Sequence, residues 1–344
     1  MNKLYVFSFF LFLSVTADAQ TNGFSIIEKK ERKQVDILFN GKLMTAYCYY
    51  DSSRKPMLFP VNTVDGITVT RGYPYQMIAG ERTDHPHHTG IWLNYESVNG
   101  LDFWNNSTAI APEKRDRYGT IIHQNISDKK TNGNTASLSA AATWVRPDNK
   151  VLLNEQTAFH FSVKANDFII DRITTLTATD TIVVFKDVKD GMFAIRVARE
   201  LELPSKEKSS FVDDKGNITT VPPSGSDVTG MYYGSSGLKG DSVWSSKGPW
   251  VMLTGKKGGK DITIGIFDHP ANVGYPAYWH ARGYGLFSVN PLGRKVFSNG
   301  KEELNFSLQP GQSVTFRYRI VVHSGETLTK DDMNKLAEDF GKVK

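Results

Sequence analysis

The sequence predicts an all-β protein, a large two-sheet antiparallel β-sandwich with a short C-terminal helix, and three observations predict it. Segments rich in β-branched and aromatic residues follow one another along the 344 residues, some with partial apolar–polar alternation of period two. Turn chemistry separates them, as at Asn40-Gly41, Asn132-Gly133, Asp148-Asn149, Asn166-Asp167 and Pro310-Gly311. A helical period appears only near the end of the chain. Strands with no helices between them bury their apolar faces by packing sheet on sheet.

Taken in order, residues 1–19 have the form of a signal peptide: Lys3, an apolar run over 4–15, and the small-x-small site Ala17-Asp18-Ala19. About a dozen apolar residues are too few to cross a bilayer comfortably, and no later run reaches that length. The mature protein is therefore expected to be exported, periplasmic or extracellular, without a membrane span. Strands are predicted over 24–28, 34–39, 44–50, 119–126, 135–145, 152–164 and 168–178. Later ones are predicted over 250–254, 261–267, 285–290, 304–308 and 313–323. Thr329 is placed to cap a helix in which Met333, Leu336, Ala337 and Phe340 recur at helical spacing, with Asp332 at the capping-box position. Residues 20–344 are expected to form a single sandwich domain with a long loop region near 206–246; two fused β domains are the alternative. Met231, Tyr232, Tyr233 and Trp244 in that region favour a loop packed on the body.

Composition narrows the class. Hydrophobic residues make up 40% and charged residues 22% of the chain, which suits a packed globular core. The net charge of +5 is spread over turns such as Lys29-Lys30, Lys129-Lys130 and Lys256-Lys257, with no basic face, so nucleic acid is not an expected partner. Cys48 is the only cysteine; no intrachain disulfide can form, and the thiol reads as buried and inert.

Two stretches carry the chemistry. In 73–106, three of eight histidines, His85, His87 and His88, follow Glu81, Arg82 and Asp84 and precede Trp92, Asp102 and Trp104. If the segment is extended, as Pro86 favours at His85, His85 and His87 project to one side. That His-x-His pair is the alternative metal site, for a divalent ion in a lyase, hydrolase or oxygenase. It needs a third ligand, none follows at a recognised spacing, and no metal or other cofactor is favoured. In 267–293, Asp268-His269-Pro270 echoes Asp84-His85-Pro86, and Trp279, His280 and Arg282 add a ring, a base and a fixed cation. Aromatic faces beside carboxylates and arginine suit a sugar, with CH faces to stack and hydroxyls to bind. Histidine gives and takes protons near neutral pH. His87 and His280 are thus the candidate catalytic residues, with Glu81 or Asp268 as partner. Arg82, His88, Trp92, Trp104, Trp279 and Arg282 are the candidate substrate contacts. If they form one site, the 84–88 and 268–282 segments line one concavity. A small-molecule or oligosaccharide ligand is the expected partner, and a non-catalytic glycan-binding module built on Trp92, Trp104 and Trp279 is the third reading.

The pieces DHPHHTGIW, VNGLDFW, GMFAIRVA, FDHPANVGYPAYWHARGYGLFSVNPLG and FRYRIVVHSG, in that order, resemble a family of secreted bacterial proteins labelled PmoA. The label stands for methane oxygenase, whose particulate form is embedded in the membrane, whereas this sequence holds no spanning run. Members of the family accompany sugar-degrading and sugar-oxidising enzymes. The resemblance therefore implies carbohydrate chemistry on a supersandwich of the galactose mutarotase kind, and it carries over no catalytic residues.

Overall fold

The computed structural model describes residues 22–205, 208–220 and 228–344; the signal-peptide reading at 1–19 lies outside them. Two eight-stranded antiparallel sheets form the body. The first holds Phe24–Lys29, Gln34–Phe39, Lys42–Cys48, Met57–Val61, Ile91–Tyr95, Gly191–Arg196, Leu286–Asn290 and Tyr278–Arg282, in that spatial order. The second runs Met231–Gly234, Trp250–Lys257, Lys260–Asp268, Ser313–Ser324, Asp167–Ala178, Val151–Lys164, Thr135–Val145 and Thr120–Asn132.

Alternation explains most of the second sheet. In Val151–Lys164, buried Leu153, Glu155, Thr157, Phe159, Phe161 and Val163 alternate with more exposed neighbours, as a strand with one dry face requires. The core lies between the sheets, where Leu93, Phe193, Ile195, Trp279, Phe287 and Val289 meet Trp144, Phe159, Ile170, Ile264, Tyr318 and Ile320. Phe193 stacks on Tyr318 across the layer, with ring centroids 4.9 Å apart.

The second sheet is capped from outside by helix Lys330–Phe340. The Thr329–Asp332 capping box forms as expected, and Met333 and Phe340 pack on Ile169, Trp250, Phe267 and Val321. Within the loop region near 206–246, the described residues hold a small hairpin, Phe211–Val212 with Ile218–Thr219, and the edge strand Met231–Gly234.

The central strands of the first sheet differ. Ile91–Tyr95, Gly191–Arg196 and Leu286–Asn290 are buried at every residue, so their outward face is covered too. That face carries Cys48, Met57, Phe59, Trp92, Ala194 and Leu286, with Trp104 and Tyr284 packed over them. Among the described residues no helix is long and apolar enough to cross a membrane.

Candidate functional site

Strand register fixes what the outer face presents. Trp92, Ala194, Ser288 and His280 stand opposite one another on four neighbouring strands. At about 4.8 Å per strand, Trp92 and His280 lie roughly 14 Å apart on one surface. One step along, Arg196, Leu286 and Arg282 form a second row.

Over this floor lies the histidine segment, and here the structure corrects the sequence reading. Residues 85–88 make a turn, closed by the His88 amide donating to the His85 carbonyl at 2.9 Å. His85 has φ +45°, not the extended value expected before proline. A turn brings its first and fourth residues together, so His85 stacks on His88, with centroids 4.8 Å apart and rings 1° from parallel. His85 and His87 instead meet edge-on, at 5.6 Å and 76°. Among the described residues no group of three His, Cys, Asp or Glu side chains is arranged to hold a metal ion.

Buried arginines hold the turn. Arg71 donates to the carbonyls of Asp84 (2.8 Å), His85 (2.9 Å) and His88 (3.0 Å) and to Asp84 Oδ1 (2.9 Å). Arg196 donates to Asp84 Oδ1 at 2.7 Å, and its Nη1 lies 3.3 Å from His88 Nδ1. A guanidinium only donates, so His88 Nδ1 accepts and the imidazole is neutral. Burial holds the His88 pKa well below the usual value. Burial raises the Asp84 pKa, but the hydrogen bond from His85 and the charges of Arg196 and Arg71 outweigh it and hold the carboxyl below the usual range. Gly90 ends the segment at φ +57°, where a Cβ would stand 2.1 Å from the Leu58 carbonyl; only glycine lets the chain pass so close.

The turn rests on aromatic rings. His88 stacks on Trp92 at 5.3 Å and meets the edge of Trp104 at 5.8 Å, while Tyr284 stacks on His85 at 5.0 Å. Lys55 enters beneath, its Nζ donating to the His87 carbonyl at 2.6 Å and lying 5.3 Å from the Trp92 ring centre. Burial lowers the Lys55 pKa to about 7, opposed by Asp102. The folded chain thus holds fewer protons than the unfolded chain between about pH 7 and 10, and stability rises with pH across that window. Lys55→Met is expected to flatten this rise, worth on the order of 2 kcal/mol. Denaturation midpoints at pH 7 and pH 9.5 measure it, and an unchanged slope would refute the depressed lysine.

At the other end of the face, His280 is 2% exposed, and its Nδ1 lies 3.5 Å from Asp190 Oδ1. Burial pulls its pKa down to about 4 against the opposing charge of Asp190. Glu96 and Asp102 complete an acidic rim. Burial, then the charges of Asp190 and Asp102, raises the Glu96 pKa. Burial also raises that of Asp102, opposed by hydrogen bonds from Asn105.

Of the predicted site residues, His87, His88, Trp92, Trp104, His280 and Arg282 share this face. The others are placed elsewhere. Asp268 belongs to the second sheet, opposite Tyr318; its oxygens accept from Asn272 Nδ2 (2.8 Å) and the Ala277 amide (2.9 Å). The echo between 84–86 and 268–270 therefore brings nothing together. Glu81 accepts from the amides of Gly72 (2.7 Å) and Tyr73 (3.3 Å), and burial raises its pKa to about 7. Both carboxyls tie loops, and Asp190 stands where a partner to His280 was expected. Arg82 pairs with buried Glu202 at 2.7 Å. The Trp279 indole faces the core, its Nε1 donating to the Gly248 carbonyl at 3.1 Å. Lys55, Arg71, Asp190, Arg196 and Tyr284 are functional candidates the sequence reading did not single out. Arg196 alone carried a signal, as a charge inside the apolar run 191–198.

Buried polar atoms of this face without a hydrogen-bond partner include His87 Nε2, Trp92 Nε1, Asn94 Oδ1, Arg196 Nε and His280 Nδ1. Such orphans are rare, cost about 1–3 kcal/mol each, and call for an explanation.

Among solved structures, the chain is similar to the GH36 α-galactosidase AgaB of Geobacillus stearothermophilus, over 88% of this chain at 14% identity and a TM-score of 0.42. It spans 41% of that enzyme's length. It is also similar to the galactose 1-epimerase of Lactobacillus acidophilus NCFM, over 90% of this chain and 100% of the other, at 10% identity and a TM-score of 0.40. No curated protein matches the sequence. A protein-family model matches residues 34–338.

Proposed function

We propose, for a chain that belongs to the family matched over residues 34–338, DUF6807, a family of unknown function, that the outer face of the first sheet binds a sugar or glycoside and moves protons on it. The family's description does not carry the PmoA label, so the proposal stands on the site. Its main support is the set of unpartnered polar atoms gathered over an aromatic floor. A polyhydroxyl ligand offers donors and acceptors to such atoms and a CH face to the half-buried Tyr284.

His280 and His87 are the proton-transferring groups in this reading. His280 is neutral at physiological pH and so able to accept a proton, and Asp190 stabilises the imidazolium that results. His87 is likewise held neutral by its burial and by the charge of Lys55. In this reading the signal-like leader exports the chain and the remainder works as a single sandwich domain.

A panel of free hexoses, pentoses and aryl glycosides tests this, with binding followed by tryptophan fluorescence and conversion by NMR. Saturable binding with conversion of at least one anomer or glycoside is the expected result. Binding without any conversion would make the protein a glycan-binding module instead, and no binding at all would overturn the sugar reading.

A further inference from the structure

Beside the histidine turn opens a cavity of about 250 Å³ lined by Leu203, Pro204, Asp241, Trp244, Arg282 and Tyr284. That is just below the roughly 300–1,000 Å³ of a typical ligand pocket and suits a single ring. The Tyr284 ring is shared between the two spaces, since it also stacks on His85 and lies 6.4 Å from His88.

The cation in this cavity is the exposed Arg282, and it lacks the partner that the protein's buried arginines have. Arg71, Arg82, Arg172, Arg196, Arg199 and Arg319 all have a carboxylate within 4 Å. Among the described residues Arg282 has none, although Asp241 lines the same cavity. Its guanidinium carbon lies 6.0 Å from the Trp244 ring centre and 5.9 Å from that of Tyr284. Two rings limit the orientations of the planar group, so less entropy is lost when a ligand engages it. Trp244 lines the same cavity, and its Nε1 is buried without a partner. An unpaired, oriented fork of N–H groups is complementary to a planar carboxylate.

We propose that this cavity receives the carboxylate of an acidic sugar, so that the substrate class is uronic acids or glycosides bearing them. The inference rests on the sugar reading above and narrows it. Asp241 then faces the ring hydroxyls, and Tyr284 separates the carboxylate from the proton-transferring groups.

Binding of two matched pairs, glucose with glucuronate and galactose with galacturonate, tests the inference on the wild type, Arg282→Gln and Arg282→Lys. One charge-assisted bidentate contact favours the acid by roughly tenfold or more in at least one pair. Arg282→Gln is expected to bring that ratio to about one, and Arg282→Lys to restore it only in part, because an ammonium lacks the fork. Arg282 is exposed, so both variants are expected to keep the wild-type melting temperature. Equal affinity for acid and neutral sugar in both pairs, or a preference that survives Arg282→Gln, would overturn the inference and leave the sugar site standing. Failure of all four sugars to bind would remove both.

Discussion

Replacing His280 with glutamine is expected to reduce turnover by about 10²–10⁴-fold while sugar affinity changes only a few fold. Glutamine keeps the polar contact and much of the volume but carries no proton. The pH profile separates this role from a packing role. Because the His280 pKa is about 4, the imidazole is neutral at pH 5 as at pH 7, and the rate should hold between them. Below about pH 4 it should fall tenfold per unit, in assays short enough to outrun acid unfolding. Asp190 raises the His280 pKa, so Asp190→Asn should move this limb to still lower pH. Full activity in His280→Gln, or an acid limb near pH 6.5, would remove His280 from the chemistry.

Arg71→Met should destabilise the fold by about 3–5 kcal/mol. Arg71 is 1% exposed, and its loss strips a donor from the carbonyls of Asp84, His85 and His88, each costly to leave unpaired. Methionine fills most of the space, so the effect reports lost hydrogen bonds more than a cavity. Urea unfolding measures it; a loss below 1 kcal/mol would mean the turn is held by its ring contacts alone. Arg196→Met is expected to behave similarly, with Asp84 and Glu202 left short of a partner.

The same physics decides what the sequence revealed. Strands of the second sheet were readable because one face is dry and the other wet, which writes a period of two into Val151–Lys164 and Thr135–Val145. Met57–Val61, Ile91–Tyr95, Gly191–Arg196 and Tyr278–Arg282 were not read as strands. Burial on both faces erases alternation in these short segments, and the candidate site sits on their outer side. The site was partly legible because histidines and tryptophans were dense at 85–104 and at 279–282. Its supports were not, since Lys55, Arg71, Asp190, Arg196 and Tyr284 come singly from separate segments and meet only through the fold. The turn at 85–88 was misread as extended because Pro86 disfavours only the right-handed helical region at His85, leaving the left-handed one that His85 adopts.

The Arg71 clamp grips main-chain oxygens of the histidine turn and leaves its imidazoles untouched. Course and chemistry of the loop are thereby decoupled. A change of side chain at 85 or 87 leaves every Arg71 contact in place, whereas a change at Arg71 loosens the whole segment. Within a lineage, such an arrangement lets the reactive groups be exchanged one at a time on a constant frame, so new specificities can be sampled without passing through unfolded intermediates.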